Sequence, residues 1–347
     1  MPGSETGSYY SCIGDFASLR FQLAYLMSVF TTVEPTQLER FLKRYELGRA
    51  RDFSPIPAGI TNTNYYLETD QGSYVLTLYE HHSDDELDYM LGLQQHLADK
   101  AVSCPAPAKD RRGDYYSSLN NRPAAIIDRL PGEVETAPAI EHCAQIGTEL
   151  ARFHLAGQDY MKSRPNPRGV EWLLAAGDML EAELTPQELQ LLTSTIGDYR
   201  DFDHRPLAHG AIHADLFHDN ALFIDAELGG IIDFDYACHD SLILDIAVLL
   251  NDWCIDARGN LDAKRVAAVL DAYQKQRRLD QAEIRALPLM LRFSALRFWL
   301  SRLCDKVFPP SGELTFSKDP NWFRELLVLR SNEIDQLEQL FLPHDMG

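Results

Sequence analysis

Cysteine, long hydrophobic runs and positive charge are all scarce in this chain of 347 residues. Six cysteines stand at positions 12, 104, 143, 238, 254 and 304, and no two are spaced as a Cys-x-x-Cys pair. That spacing excludes a zinc knuckle and a disulfide scaffold, and it reads as the reduced thiols of a cytosolic protein. No apolar run approaches the roughly 20 residues that a membrane span needs. The first basic residue, Arg20, follows Glu5, an order unlike a secretory signal. Lys and Arg number 32 against 52 Asp and Glu, a net charge of −20. Such a surplus repels phosphate backbones and anionic bilayers, so neither nucleic acid nor membrane is an expected partner. An anionic ligand would need local cations to overcome that field. One stretch lacks them altogether: no Lys or Arg occurs between Arg51 and Lys100.

The length supports two compact units, and no repeat breaks them up. Residues 1–26, rich in Ser, Gly and Tyr, read as an N-terminal extension, flexible or upstream of a natural start at Met27. Residues 27–130 then alternate as a small sheet with one main helix. Strands are expected at 53–60, 65–69, 74–79 and 124–127, with Asp70-Gln71-Gly72 as a hairpin turn and a helix over 84–100. Residues 131–347 read as mostly helical, interrupted by short strands at 221–224 and 230–233. A β-rich lobe joined to a helical lobe leaves a cleft between them, where ligands usually sit.

One segment carries chemistry. His213-Ala214-Asp215-Leu216-Phe217-His218-Asp219-Asn220 is followed by a strand and then by Ile231-Ile232-Asp233-Phe234-Asp235. Phosphoryl transfer needs an oriented hydroxyl, a proton acceptor and oxygen ligands for Mg²⁺ on the phosphates. Asp215 suits the acceptor, Asn220 and Asp233 suit the metal, Asp235 is a weaker supporting candidate, and His213 suits bracing of the loop. A metallohydrolase would instead use His209, His213, Asp215 and His218 as ligands, leaving Asn220 and Asp233 without a task.

With these residues in place, the chain resembles the aminoglycoside-phosphotransferase and choline-kinase superfamily, most closely its bacterial homoserine kinases. Further stretches carry the likeness: Gly59-Ile60-Thr61-Asn62-Thr63-Asn64-Tyr65, Tyr74-Val75-Leu76-Thr77-Leu78-Tyr79-Glu80, Val248 to Cys254 and Leu296 to Arg302. The resemblance implies an α+β, two-lobed protein-kinase-like fold and an ATP- and Mg²⁺-dependent kinase forming O-phospho-L-homoserine, a step of threonine biosynthesis. Kinases for choline, ethanolamine, aminoglycosides or sugars stay open as alternatives, as does an inactive nucleotide-binding module.

By that resemblance Gly59, Thr61, Asn62 and Thr63 would cover the phosphates, and Ile127 would sit in the connector beside the adenine. Many relatives carry a cation where this chain has Thr77, so the usual ion pair with a helix glutamate, here Glu86, cannot form from these elements. Either the metal and backbone dipoles carry more of the load, or a cation arrives from elsewhere. An amino-acid alcohol needs a guanidinium for its carboxylate and an acid or amide for its ammonium. Asn251, Asp252, Trp253, Arg297, Trp299 and Arg302 are the candidates for that pocket. Sequence alone gives no reading of oligomeric state.

Overall fold

The computed structural model describes residues 31–56, 61–309, 319–334, 337 and 341. The expected extension over 1–26 and the candidate Gly59 lie outside the described residues. Helix α1 (Pro35–Leu42) turns Leu38, Phe41 and Leu42 onto a five-stranded antiparallel sheet. Its strands are β1 (Ala50–Pro55), β2 (Thr63–Thr69), β3 (Ser73–Leu78), β4 (Tyr116–Leu119) and β5 (Arg122–Asp128), in the order β1-β2-β3-β5-β4. The turn expected at Asp70-Gln71-Gly72 joins β2 to β3, with the Thr69 N–H donating to the Gly72 carbonyl at 2.9 Å. Strand β4 was not expected. It is four residues long and half serine, which blunts the strand pattern, but Asn120 and Asn121 both take positive φ (51° and 62°) and close the hairpin to β5.

Helix α2 (Asp84–Asp99) follows the sheet and starts with a capping box. The Ser83 N–H donates to Glu86 Oε2 at 3.0 Å, and Ser83 Oγ accepts the Glu86 N–H in return. Beyond β5 the next strand, β6 (Glu133–Val134), pairs with β8 (Ala221–Ile224), which pairs with β9 (Glu227–Ile231). We place the change of lobe in this connecting stretch, next to the boundary expected at residue 130.

The second lobe is built from α3 (Ile140–Gly157), α4 (Val170–Met179), α5 (Pro186–Asp201), α6 (Leu242–Trp253), α7 (Ala263–Gln276), α8 (Gln281–Val307) and α9 (Pro320–Asn332). Helix α6 is apolar around almost its whole circumference, and that composition buries it at the centre of the core. Just ahead of the His213–Asn220 segment the chain forms a strand for which no element was expected. His209–Ile212 is strand β7, paired antiparallel with β10 (Cys238–Ser241). Both are only four residues long, too short for a two-residue period to stand out. A further cluster of buried residues, with Leu87, Leu91, Phe153 and Phe234, joins α2 to the second lobe.

Helices α3 and α7 approach closely at Gly147, where an added Cβ would lie 2.5 Å from the Val269 carbonyl oxygen. That neighbour is helix backbone and cannot step aside. Gly147→Ala should therefore lower the thermal midpoint by several degrees, an overpacking cost of about 1–3 kcal/mol. An unchanged melting curve would show that the two helices separate freely.

Candidate active site

The reactive loop is positioned from below by a buried acid. Asp245, in the first turn of α6, accepts the backbone N–H groups of His213 and Ala214, each at 2.7 Å, and contacts His154 Nε2 at 3.2 Å. Burial alone would raise this carboxyl, but His154 and the loop N–H groups together hold it below the usual carboxylate value. His154 in turn meets the Tyr273 hydroxyl at 2.7 Å, across the α3–α7 contact. Ala214 is thereby kept in the left-handed region, at φ +64°. On its other side its carbonyl accepts Nη1 of Arg297. The geometry makes His213 a brace: its Nε2 donates to the Ile232 carbonyl at 3.0 Å and its Nδ1 accepts the Asp215 N–H at 3.3 Å. Burial lowers its pKa, which keeps the ring neutral.

This scaffold presents three of the expected side chains to one cleft. Asn220 Nδ2 donates to the Asp215 carbonyl at 2.8 Å and to Asp215 Oδ2 at 3.3 Å. Asn220 Oδ1 has no protein partner among the described residues and is left for a ligand. Asp233 follows β9 in the left-handed region (φ +65°), open on its cleft side. Asp215 is pushed up to about 7, by burial first, with Arg297 opposing and Asp233 adding repulsion. Asp235 is raised too, by burial first, with Arg164 opposing and Asp215 adding repulsion, and Asp233 is raised beside it.

Crowded acids and an uncommitted amide oxygen fit a divalent cation. No group of three or more His, Cys, Asp or Glu side chains forms a metal cage among the described residues. The metallohydrolase arrangement does not assemble. His209 contacts the Leu207 carbonyl, His218 pairs with Asp252, and His213 is spent on the loop.

On the nucleotide side the two expected side chains have other partners. Asn62 Nδ2 donates to Asp235 Oδ2 at 2.7 Å, and Thr63 Oγ1 donates to Glu80 Oε1 at 2.8 Å. Asn62 thus ties the segment ahead of β2 to the acidic Asp233–Asp235 segment. Thr61 is half-buried beside it, and Ile127 lies in β5 ahead of the connector. Thr77 Oγ1 donates to Asn64 Oδ1, so nothing at that place carries charge. The cation for Glu86 comes instead from the α3–α4 loop. Arg164 Nη2 meets Glu86 Oε1 at 2.7 Å, while its Nη1 grips the carbonyls of Asp235 and Ala237 at 2.7 and 3.0 Å.

The acceptor-side expectations are partly corrected. Asn251 bonds the Leu291 carbonyl, Ser294 Oγ and Arg330 Nε inside the core, and Trp299 is buried with it. Trp253 is fully buried and donates Nε1 to the Leu216 carbonyl, and Asp252 accepts the His218 N–H at 2.6 Å. Both hold the loop from behind. Of the six candidates, Arg297 and Arg302 lie within electrostatic reach of the Asp215 carboxylate. Asp245 and Arg164 were missed. Their signals were an acid in the first turn of an apolar helix and a cation in a Pro- and Asn-containing loop.

The raised acids give a stability test. A carboxyl whose folded pKa exceeds the unfolded value near 4 binds its proton more tightly when folded, so ionising it costs stability as pH rises through that window. Without nucleotide or metal, Asp215→Asn should melt a few degrees above the wild type at pH 8, with the gap narrowing toward pH 5. A gap independent of pH would remove the raised carboxyl as its cause.

Residues 52–280 match the phosphotransferase enzyme family, APH. The homoserine kinase of Methylobacillus flagellatus is 48% identical over 301 residues, which cover 87% of this chain and 94% of that protein. The homoserine kinase of a Bradyrhizobium species is 44% identical, covering 85% and 92%. Among solved structures, the amicoumacin kinase hAmiN in complex with AMP-PNP and Ca²⁺ superimposes with a TM-score of 0.68 at 17% identity, covering 95% of this chain and 98% of its own. A Plasmodium vivax ethanolamine kinase gives 0.61 at 15% identity, covering 91% and 99%. Those two neighbours share the two-lobed kinase-like fold, and the match of sequence over most of the length places this chain in the phosphotransferase enzyme family.

Proposed function

We propose that the protein transfers the γ-phosphoryl group of ATP to the hydroxyl of L-homoserine, giving O-phospho-L-homoserine for threonine biosynthesis. The observation that carries the reading is the convergence of Asp215, Asn220 and Asp233 on one cleft in a chain 40–48% identical to homoserine kinases. The acceptor hydroxyl oxygen attacks the γ-phosphorus in line. The bond from that phosphorus to the β–γ bridging oxygen breaks, and ADP leaves with the electron pair. Asp215 orients the hydroxyl and takes its proton. Asn220 Oδ1 and the Asp233 carboxylate would hold Mg²⁺, whose contribution is neutralisation of the phosphate oxygens. Burial that places Asp215 near 7 suits a base working at neutral pH.

The described cysteines are buried free thiols, and no described helix is long and apolar enough to cross a membrane. The buried free thiols suit the reading of a cytoplasmic enzyme acting on a small molecule.

ADP release measured across L-homoserine, choline, ethanolamine and an aminoglycoside should be fastest with L-homoserine by a wide margin. Asp215→Ala should cut that turnover by at least about 100-fold while the thermal transition stays cooperative. Turnover unchanged in that variant would sink the mechanism, and release with choline alone would move the acceptor. Because the base must be ionised, kcat/KM should fall as pH drops below about 7, tracking the raised Asp215 in the free enzyme. A flat profile down to pH 5 would remove Asp215 as the titrating base.

A further inference from the structure

The loop that supplies Arg164 to one side of the Asp233–Ala237 segment supplies Arg168 to the other. Arg168 stacks its guanidinium on the Trp172 ring at 4.3 Å and faces Tyr236 at 5.4 Å. Arg297 faces the same Tyr236 ring at 5.2 Å. Arg302, one turn and a half further along α8, has Nη1 3.7 Å from Asp305 Oδ2, and Asp305 also feels the charge of Arg168. Three guanidiniums therefore gather in one cluster, with Arg297 and Arg302 in reach of Asp215, in a chain carrying 20 surplus negative charges. Among the described residues no carboxylate lies within ion-pair distance of Arg168 or Arg297.

Four buried donors in this cluster lack any partner: Nε of Arg168, Arg297 and Arg302, and the indole Nε1 of Trp172. Arg297 is 1% exposed and Trp172 8%. Buried unpaired donors are uncommon, and several in one place mark a missing acceptor. Arg297 already holds the Ala214 carbonyl and serves the loop. Arg168 has no carboxylate partner and Arg302 has only the long 3.7 Å contact to Asp305, so both can serve a ligand, and stacking on Trp172 fixes the plane of the Arg168 fork.

We propose that Arg168 and Arg302 bind the carboxylate of the acceptor, with Trp172 and Tyr236 orienting the Arg168 guanidinium, and so select an amino-acid alcohol over a plain amino alcohol. The assignment rests on the homoserine reading and adds the residues that enforce it. Arg168 and Arg302 are specificity-determining. Trp172 and Tyr236 are positioning residues.

The discriminating pair of acceptors is L-homoserine and 3-aminopropan-1-ol, which keeps the hydroxyl and amine but lacks the carboxylate. Arg168→Met should raise the KM for L-homoserine by about 100-fold. It should leave the KM for ATP, and kcat/KM for 3-aminopropan-1-ol, within about threefold of the wild type. The preference for homoserine would collapse while the weaker activity survives. Arg302→Met tests the second guanidinium, and does so independently if Arg168→Met does not fold. Equal losses on both acceptors, or none on homoserine, would overturn the assignment and leave the homoserine reading standing. Wild-type protein that releases no ADP with L-homoserine would overturn the reading itself, and the assignment with it.

Discussion

A single buried carboxylate, Asp245, holds the reactive loop in shape. It sits in the buried first turn of an apolar helix, where an uncompensated charge would cost several kcal/mol. Two backbone N–H groups at 2.7 Å and the ring of His154 supply the compensation. The dependence runs both ways. The loop can adopt a left-handed alanine at 214 because its neighbouring amides are fixed, and Asp245 can stay ionised because the loop provides those amides. His213 then relays the arrangement to the Asp215 N–H and to the strand that ends before Asp233. Removing Asp245 would release the loop and strand His154 together, so its effect on activity exceeds that of any one hydrogen bond.

Charge is distributed against the overall sign of the molecule. The surplus of 20 negative charges is unfavourable for a triphosphate and for an amino acid's carboxylate alike. The cleft answers in two ways. Asp215, Asp233 and Asp235 are crowded enough to be raised, a cost that a divalent cation would relieve. Arg164 and Arg168 from the α3–α4 loop reach Asp235 and Tyr236, and Arg297 and Arg302 from α8 lie in reach of Asp215, supplying cations that the N-terminal sheet lacks.

The sequence made some of this legible and hid the rest for physical reasons. Asp215, Asn220 and Asp233 could be read because their spacing is fixed by one loop and one strand pair, both local in the chain. The hairpin at Asp70-Gln71-Gly72 was legible through turn chemistry, whereas β4 was not, because Ser117 and Ser118 mask the alternation. Asn251, Trp253 and Trp299 were misread because a polar or amphipathic residue near a site looks the same whether it faces a ligand or a buried carbonyl. Arg164 and Arg168 carry no periodic signal at all. Their partners lie about 70 residues away in sequence, and only the fold brings Glu86, Asp235 and Tyr236 to them.

The Arg164 geometry also says how the two lobes act together. One guanidinium joins Glu86, which caps α2, to the carbonyls of Asp235 and Ala237, which flank Tyr236. Asn62 makes a second link, from the start of β2 to the Asp235 carboxylate. A shift of α2 or of the phosphate-loop segment must therefore move the Asp233–Ala237 segment or break charge-assisted bonds, which are about twice as strong as neutral ones. In a kinase with lysine on the third strand, the glutamate of the helix is held within its own lobe. Here Thr77 leaves that place neutral, so Glu86 is bound across the cleft instead. The position of the first lobe and the shape of the Asp233–Ala237 segment are thereby set by the same bonds. The same segment carries Tyr236, the ring shared by Arg168 and Arg297, so the acceptor side is coupled to that clamp as well.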